Sequence, residues 1–176
     1  MRAFLAAALV LAAGALSGCS SAAQDAQAQR FCPPGVTVTD AATLTRFKPG
    51  AGRDPTDVQF QAELGKIETV CKFASKGGVS IDMRVAIAVG EGPAAQNRTA
   101  QLSYFVAIIA PGRQVVARKE FASDYTFTGN RSRLVGLEEL TQDIPGITDI
   151  QAQGYQIAVG FVLSPDELNY NRQRRR

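Results

Sequence analysis

The sequence predicts an all-β domain built from two packed antiparallel sheets. Three observations favour this fold class. Apolar and polar residues alternate in several segments, glycine and proline punctuate the chain between them, and no long amphipathic helical pattern intervenes. Runs of strands without intervening helices are typical of β-sandwiches. We therefore expect about seven strands in an immunoglobulin- or fibronectin-like sandwich with a short C-terminal helix. A small open β-barrel is the alternative.

The clearest pair of strands is predicted at residues 57–74 and 78–89. Both segments alternate between apolar and polar side chains, as a strand with one buried face requires. The apolar positions shift by one residue after Gly65, which indicates a β-bulge within one long strand. Lys76, Gly77 and Gly78 supply a tight turn, so the two strands should form an antiparallel hairpin.

Shorter patterns predict the remaining elements. Ser164, Pro165 and Glu167 have the arrangement of a capping box with proline in the first turn, so a helix of a turn or two should run from there to about Asn171. A weak helical signal lies at residues 40–44. Further strands are predicted at residues 36–38, 101–110, 113–121, 131–140 and 155–163, although the leucine spacing at 131–140 also fits a helix.

The N-terminus has the layout of a bacterial lipoprotein signal. Arg2 precedes an apolar stretch at residues 3–16, and small residues then lead to Cys19. This stretch is shorter than the roughly 20 residues that span a bilayer. An ordinary secretory signal or a chance apolar N-terminus is the alternative. We expect cleavage before Cys19, acylation of its thiol, and outer-membrane attachment facing the periplasm, which Ser20 favours.

These signals divide the chain into four parts. Small and polar residues after Cys19 cannot bury enough apolar surface to order themselves, which predicts a flexible tether. The following body has the length of one domain. The predicted parts are a signal peptide at 1–18, the tether at 19–31, a single β-sandwich domain at 32–171 and a basic tail at 172–176.

Cys32 and Cys71 remain once Cys19 is assigned to the lipid. An even number of cysteines in an oxidising compartment indicates a disulfide. A Cys32–Cys71 bridge would stabilise the domain by about 3–4 kcal/mol on the chain-entropy view. A redox pair or two buried thiols are the alternatives, although the spacing lacks the CxxC pattern of redox pairs.

The chain resembles a group of small lipoproteins of alphaproteobacteria. The resemblance covers most of the predicted mature chain, and it implies the envelope compartment and a single domain but no activity. The residues that carry it are Cys32-Pro33, Asp57-Val58, Cys71, Gly92-Pro93, Tyr104-Phe105-Val106, Ile144-Pro145, and the end of the chain from Val159-Gly160-Phe161-Val162-Leu163 to Leu168-Asn169-Tyr170-Asn171-Arg172.

The composition excludes several kinds of catalytic site. The sequence contains no histidine, which removes Ser-His-Asp and Cys-His arrangements and the commonest metal ligand. Glu138 and Glu139 are adjacent, so on a strand they would point to opposite faces, and both are predicted to be solvated. We expect no metal, because histidine is absent and the cysteines are assigned to the lipid and the disulfide. We expect no dinucleotide cofactor, because the glycines at 90–92 lack the third glycine and the helix of such a site. The strand aromatics, among them Tyr104 and Tyr125, are predicted to be core rather than a ligand groove.

The C-terminal arginines are the one charged cluster with a predicted contact. Arg172, Arg174, Arg175 and Arg176 contribute +4 to a formal net charge of +3, which leaves −1 for the rest of the chain. This balance is not that of a nucleic-acid-binding domain. The cluster could contact anionic head groups or the cell wall, or it could be a solvated terminus.

The sequence therefore predicts a non-enzymatic interaction module of the cell envelope. The membrane is contacted through the N-terminal lipid, and another envelope protein or the cell wall binds at a sheet edge or at the end loops. The alternative is a carrier or chaperone that holds a lipid or other apolar molecule between its sheets, and it requires an apolar cavity there. A hydrolase using two carboxylates would require inward-facing acids across a cleft.

Overall fold

A computed structural model of the chain describes residues 31–50 and 52–174. The predicted signal peptide and Cys19 lie outside the described residues, as do most of the predicted tether, Arg175 and Arg176.

The described residues form eight β-strands and two α-helices, joined by turns and two 3-10 helices. The strands are β1 (Gly35–Thr37), β2 (Thr43–Phe47), β3 (Val58–Phe73), β4 (Gly78–Glu91), β5 (Thr99–Ala110), β6 (Gln114–Thr126), β7 (Arg133–Pro145) and β8 (Gln156–Phe161). The α-helices are α1 (Asp149–Ala152) and α2 (Pro165–Arg174), and the 3-10 helices are Thr39–Ala41 and Pro55–Asp57.

The eight strands build two four-stranded sheets that face each other, which confirms the predicted sandwich. The first sheet has the order β1-β8-β5-β6, and the second has the order β2-β3-β4-β7. Neighbouring strands are antiparallel, except that β1 and β8 run parallel. Consecutive strands therefore exchange sheets several times along the chain.

The predicted hairpin and its bulge are both confirmed. In the β3–β4 pair, Phe73 lies opposite Val79, and the register shifts between Leu64 and Ile67, around Gly65. The turn needs Gly77 and Gly78 because both adopt positive φ angles, 89° and 114°, that side chains disfavour.

The strand β2 was not predicted, and the expected helix at residues 40–44 is wrong. Only Thr39–Ala41 is helical, as one 3-10 turn, and the chain then enters β2. Leu44 is fully buried, and Thr43 pairs with Glu63 on β3. A five-residue strand carries too little local pattern to be recognised, so its conformation is fixed by pairing with β3.

The C-terminal helix begins as predicted but is longer. The Ser164 Oγ accepts a hydrogen bond from Glu167 N at 3.3 Å, and Glu167 Oε2 accepts one from Ser164 N at 2.8 Å, which completes the capping box. The helix continues to Arg174. Arg172 and Arg174 are thus part of α2 and not of an extended tail, because packing against β2 supports a helix that propensity alone would leave short.

The core lies between the sheets and is filled by apolar side chains. Tyr104 and Tyr125 belong to it, with 1% and 8% of their surface exposed, which confirms their prediction as core aromatics. The largest fully buried residues are Tyr104, Phe161, Leu44, Ile81, Ile87, Leu102 and Ile157. Burying each such aliphatic or aromatic side chain contributes about 1.5–3 kcal/mol, so this interface is the main source of stability.

The predicted disulfide is confirmed. Cys32 and Cys71 are bonded, with their Cα atoms 5.5 Å apart. The bridge ties the segment before β1 to the C-terminal end of β3, beside a hydrogen bond of 3.2 Å from Thr69 Oγ1 to Pro33 O. Because the cysteines are 39 residues apart, the chain-entropy estimate of the stabilisation is about 4 kcal/mol.

Candidate functional site: the free edges of the sheets

The long strands β6 and β7 each have one hydrogen-bonding edge free. Each has 13 residues and ends its sheet, so β6 pairs only with β5 and β7 only with β4. The opposite edges are short, since β1 has three residues and β2 has five. The β2 edge is also held by α2, whose buried Asn171 donates hydrogen bonds to Asp40 O at 3.0 Å and Thr43 O at 2.8 Å. Free edges of such length are where another strand can add.

The first half of β6 is exposed on both of its faces. Every residue from 114 to 120 is exposed, and Val115 and Val116 keep 56% and 52% of their surface accessible. A bulge lies here, because Ile108 pairs with Ala117 whereas Ile109 pairs with Val115, which leaves Val116 without a partner on β5. Bulges commonly redirect side chains at sheet edges and binding sites. This segment therefore offers apolar side chains and unpaired backbone groups together.

The two basic residues of β6, Arg118 and Lys119, each contact an aromatic ring. The Arg118 guanidinium lies 4.4 Å from the centre of the Phe105 ring and forms an ion pair of 2.7 Å with Glu120. The Lys119 ammonium lies 5.1 Å from the centre of the Phe121 ring. Lysine on an edge strand opposes indiscriminate strand pairing, so Lys119 protects this edge.

The strand β7 points one carboxylate inward. Residues on β7 alternate between the two faces, which places Glu138 on the core side and Glu139 on the outer side. The Tyr125 hydroxyl donates to Glu138 Oε1 at 2.9 Å, and the Tyr104 hydroxyl donates to Glu138 Oε2 at 3.2 Å. Gly136 admits the Tyr125 ring, since a Cβ atom there would approach within 2.7 Å of it.

The inward position of Glu138 corrects one prediction. The two glutamates do point to opposite faces, but Glu138 is partly buried and accepts two hydrogen bonds instead of being solvated. Glu139 lies in solvent and pairs with Arg84 at 2.9 Å. The sequence contained evidence for this inward position, because Glu138 lies an even number of residues from Leu134 and Leu140 and so shares their face of the strand.

The electrostatics of this cluster favour neutral tyrosines. Burial raises the pKa of Tyr104 most, and the charge and hydrogen bond of Glu138 add to the shift. Burial likewise raises the pKa of Tyr125, followed by its hydrogen bond to Glu138 and the charge of that carboxylate. Both oxygens of Glu138 are occupied by phenolic donors. The arrangement thus stabilises a carboxylate at a sheet edge, and it presents neither a nucleophile nor a second acid.

Two of the four arginines with a predicted anionic contact are engaged within the domain. Arg172 Nε lies 3.1 Å from Asp40 Oδ2, and the Arg174 guanidinium lies 5.7 Å from the centre of the Tyr170 ring. Both lie in the last turn of α2, where cations complement the helix dipole. Arg172 therefore ties α2 to the turn at Asp40, whereas Arg174 contacts a ring of its own helix.

A surface cavity opens between β2 and α2. Its volume is about 670 Å³. Ion pairs line it, with Arg46 Nε 2.7 Å from Glu167 Oε1 and Arg53 Nη2 3.6 Å from Asp166 Oδ2. The third cation of its lining, Lys48, pairs with Asp57 at 2.7 Å.

Comparisons with known proteins identify no relative. No family model, no curated protein and no solved structure matches the chain. Within residues 31–50 and 52–174, no group of three or more cysteine, aspartate or glutamate residues is placed to hold a metal ion. No helix in the same residues is both long and apolar enough to cross a bilayer. The resemblance to alphaproteobacterial lipoproteins stays a prediction.

Proposed function

We propose that this chain is a lipid-anchored protein of the cell envelope that acts as a non-enzymatic interaction module. In this proposal Cys19 carries the lipid and holds the domain at the periplasmic face of the outer membrane. The sandwich binds an extended segment of another envelope protein at the β6 edge. The observation that carries the proposal is the exposure of residues 114–120 on both faces of an unpaired edge strand.

The β6 edge suits strand addition for three physical reasons. Its backbone donors and acceptors are free on one side, so an added strand gains hydrogen bonds without unfolding the sheet. Val115 and Val116 offer apolar surface on neighbouring positions of the bulge. Lys119 supplies a cation, which favours a partner segment with an acidic residue opposite it.

The packing of the interior favours an interaction module over the carrier alternative. A carrier needs an apolar cavity between its sheets, whereas the side chains there are buried to within a few per cent of their surface. The cavity of about 670 Å³ lies outside this interface, and its walls include Arg46 and Glu167. An apolar ligand would have to displace those paired charges.

Photocrosslinking in intact cells tests the β6 edge. A photoreactive residue at position 116 should give a discrete adduct with an envelope protein. The matched control is position 70, because Val70 is equally exposed, at 55%, but lies on the interior strand β3. Lys119→Glu should reduce the adduct from position 116, since it reverses the charge that an acidic partner meets. Equal adducts from both positions, or none from position 116, would contradict the proposal.

Fractionation tests the anchor separately. Cys19→Ala should release the protein from the membrane fraction, because the thiol that accepts the lipid is gone. Membrane association that is unchanged in this variant would remove the lipid anchor from the proposal while leaving the β6 edge to be judged by crosslinking.

A further inference from the structure

The outer face of β7 exposes the most accessible large aliphatic side chains of any strand in the described residues. Val135 and Leu137 keep 68% and 67% of their surface accessible. Their neighbours on β4 are Ala88 and Ala86, which are too small to cover them. Apolar side chains on a free edge strand are a signal for association.

The β7 edge also lacks the protection that β6 carries. No lysine occurs between residues 133 and 145, and proline is found only at the end of the strand, at Pro145. The inward charge of Glu138 is satisfied by two tyrosines of its own chain, so a strand that adds at this edge does not meet an unpaired carboxylate. The edge is therefore free to pair along most of its length.

We propose that two copies of this chain associate through their β7 strands. The strands pair antiparallel about a two-fold axis at Gly136. The β2-β3-β4-β7 sheet of one copy and the same sheet of the second copy then become one continuous sheet of eight strands. In this register Val135 lies opposite Leu137 of the second copy. Arg133 lies opposite Glu139 of the second copy.

Charge and apolar complementarity select this register over its neighbours. A two-fold axis at Leu137 would place Val135 opposite Glu139, and an axis at Glu138 would place the two inward carboxylates together. An axis at Val135 would set Leu137 opposite Arg133. On the outer face, only the axis at Gly136 pairs an apolar side chain with an apolar one and opposite charges with each other, and cross-strand pairs of these kinds stabilise sheets. On the inner face this axis sets Leu134 opposite Glu138 of the second copy.

The two charged residues at the ends of this pairing are available. Glu139 pairs with Arg84 in solvent, with 68% of the Glu139 side chain exposed, so it can accept a second cation. Arg133 forms no ion pair with another described residue. This association involves β7 alone and does not depend on the partner proposed for β6.

Sedimentation of the purified full chain over a wide range of concentrations tests the proposal. We expect a monomer–dimer equilibrium. Leu137→Lys should weaken dimerisation by about tenfold or more, because each substitution occurs twice in a two-fold interface. Val70→Lys is the matched control on the outer face of the same sheet, and it should leave the dimer unchanged.

A charge exchange tests the register. Arg133→Glu and Glu139→Arg should each weaken the dimer, and the double variant should restore it, because the opposite charges again face each other. Arg84→Ala should have little effect, since it removes only the pair within one copy. A wild-type chain that stays monomeric would overturn the proposal, as would a dimer insensitive to Leu137→Lys or a double variant no stronger than the singles. None of these results depends on the crosslinking at position 116.

Discussion

Replacing the hydroxyls that donate hydrogen bonds to Glu138 should destabilise the domain. Tyr125→Phe removes a hydrogen bond of 2.9 Å to the carboxylate and keeps the ring that packs against Gly136. A hydrogen bond to a charged group contributes about 1.5–3 kcal/mol. Because Glu138 is partly exposed, water can hydrate the released oxygen, and we expect about 1–2 kcal/mol. Urea unfolding followed by circular dichroism measures this difference.

The second tyrosine and the neighbouring glutamate provide the controls. Tyr104→Phe should cost less, since its bond to Glu138 is longer at 3.2 Å, and the double variant should lose more than the sum of the single losses because Glu138 then has no donor. Glu139→Gln breaks an exposed pair with Arg84 and should cost about 0–1 kcal/mol. If Tyr125→Phe were as neutral as Glu139→Gln, the inward carboxylate would not contribute to stability.

The same cluster predicts a loss of stability at alkaline pH. The pKa values of Tyr104 and Tyr125 are raised in the folded state, so both stay protonated when the unfolded chain begins to lose these protons near pH 10. The stability contributed by this shift is present below pH 10 and falls as the pH rises above it. Ultraviolet titration of tyrosinate should show two phenols that ionise only as the protein unfolds. Ionisation of every tyrosine in the folded state would refute the shift.

Three further outcomes follow from other parts of the fold. Reduction of Cys32–Cys71, or its replacement by alanines, should lower the free energy of unfolding by about 4 kcal/mol, as measured by urea midpoints; a loss below about 1 kcal/mol would contradict the constraint. Asn171→Ala should cost about 1–3 kcal/mol and increase hydrogen exchange in α2, because two backbone carbonyls lose their donor, and unchanged exchange would argue against this anchor. The pKa of Asp57 is lowered chiefly by its hydrogen bond from Lys48, so the stability that this carboxylate contributes is present above about pH 4 and is lost as the pH falls. Asp57→Asn should therefore flatten the acid side of a curve of unfolding free energy against pH. An unchanged curve would refute the effect.

Most of the fold could be predicted because its strands are long and strictly alternating. The β3–β4 hairpin, its bulge at Gly65 and its glycine turn all follow from local pattern, because one face of each strand meets the core and the other meets water. The capping box at Ser164 was likewise local. The strand β2 could not be predicted from local pattern, because Thr43–Phe47 is short and takes its conformation from pairing with β3. The length of α2 also escaped prediction, as Asn171 fixes it through carbonyls more than 120 residues away.

The candidate site was predictable only in kind. The sequence suggested a sheet edge or the end loops as the binding surface, but strand order decides which strands are edges, and no local pattern encodes strand order. Glu138 shows the same limit. Its position in the alternation of β7 predicts an inward side chain. Only the packing of the two sheets brings Tyr104 and Tyr125 to its carboxylate oxygens.

The sequence by itself determined the strand periodicity, the turn chemistry and the absence of histidine chemistry, because each depends on residue type and spacing along the chain. It predicted the Cys32–Cys71 bridge, and the structure confirms it. Tertiary structure alone decided that β6 and β7 end their sheets, that Glu138 is satisfied and that Val135 and Leu137 stay exposed. These are properties of contacts between distant segments, whose free energies compete only once the two sheets have packed.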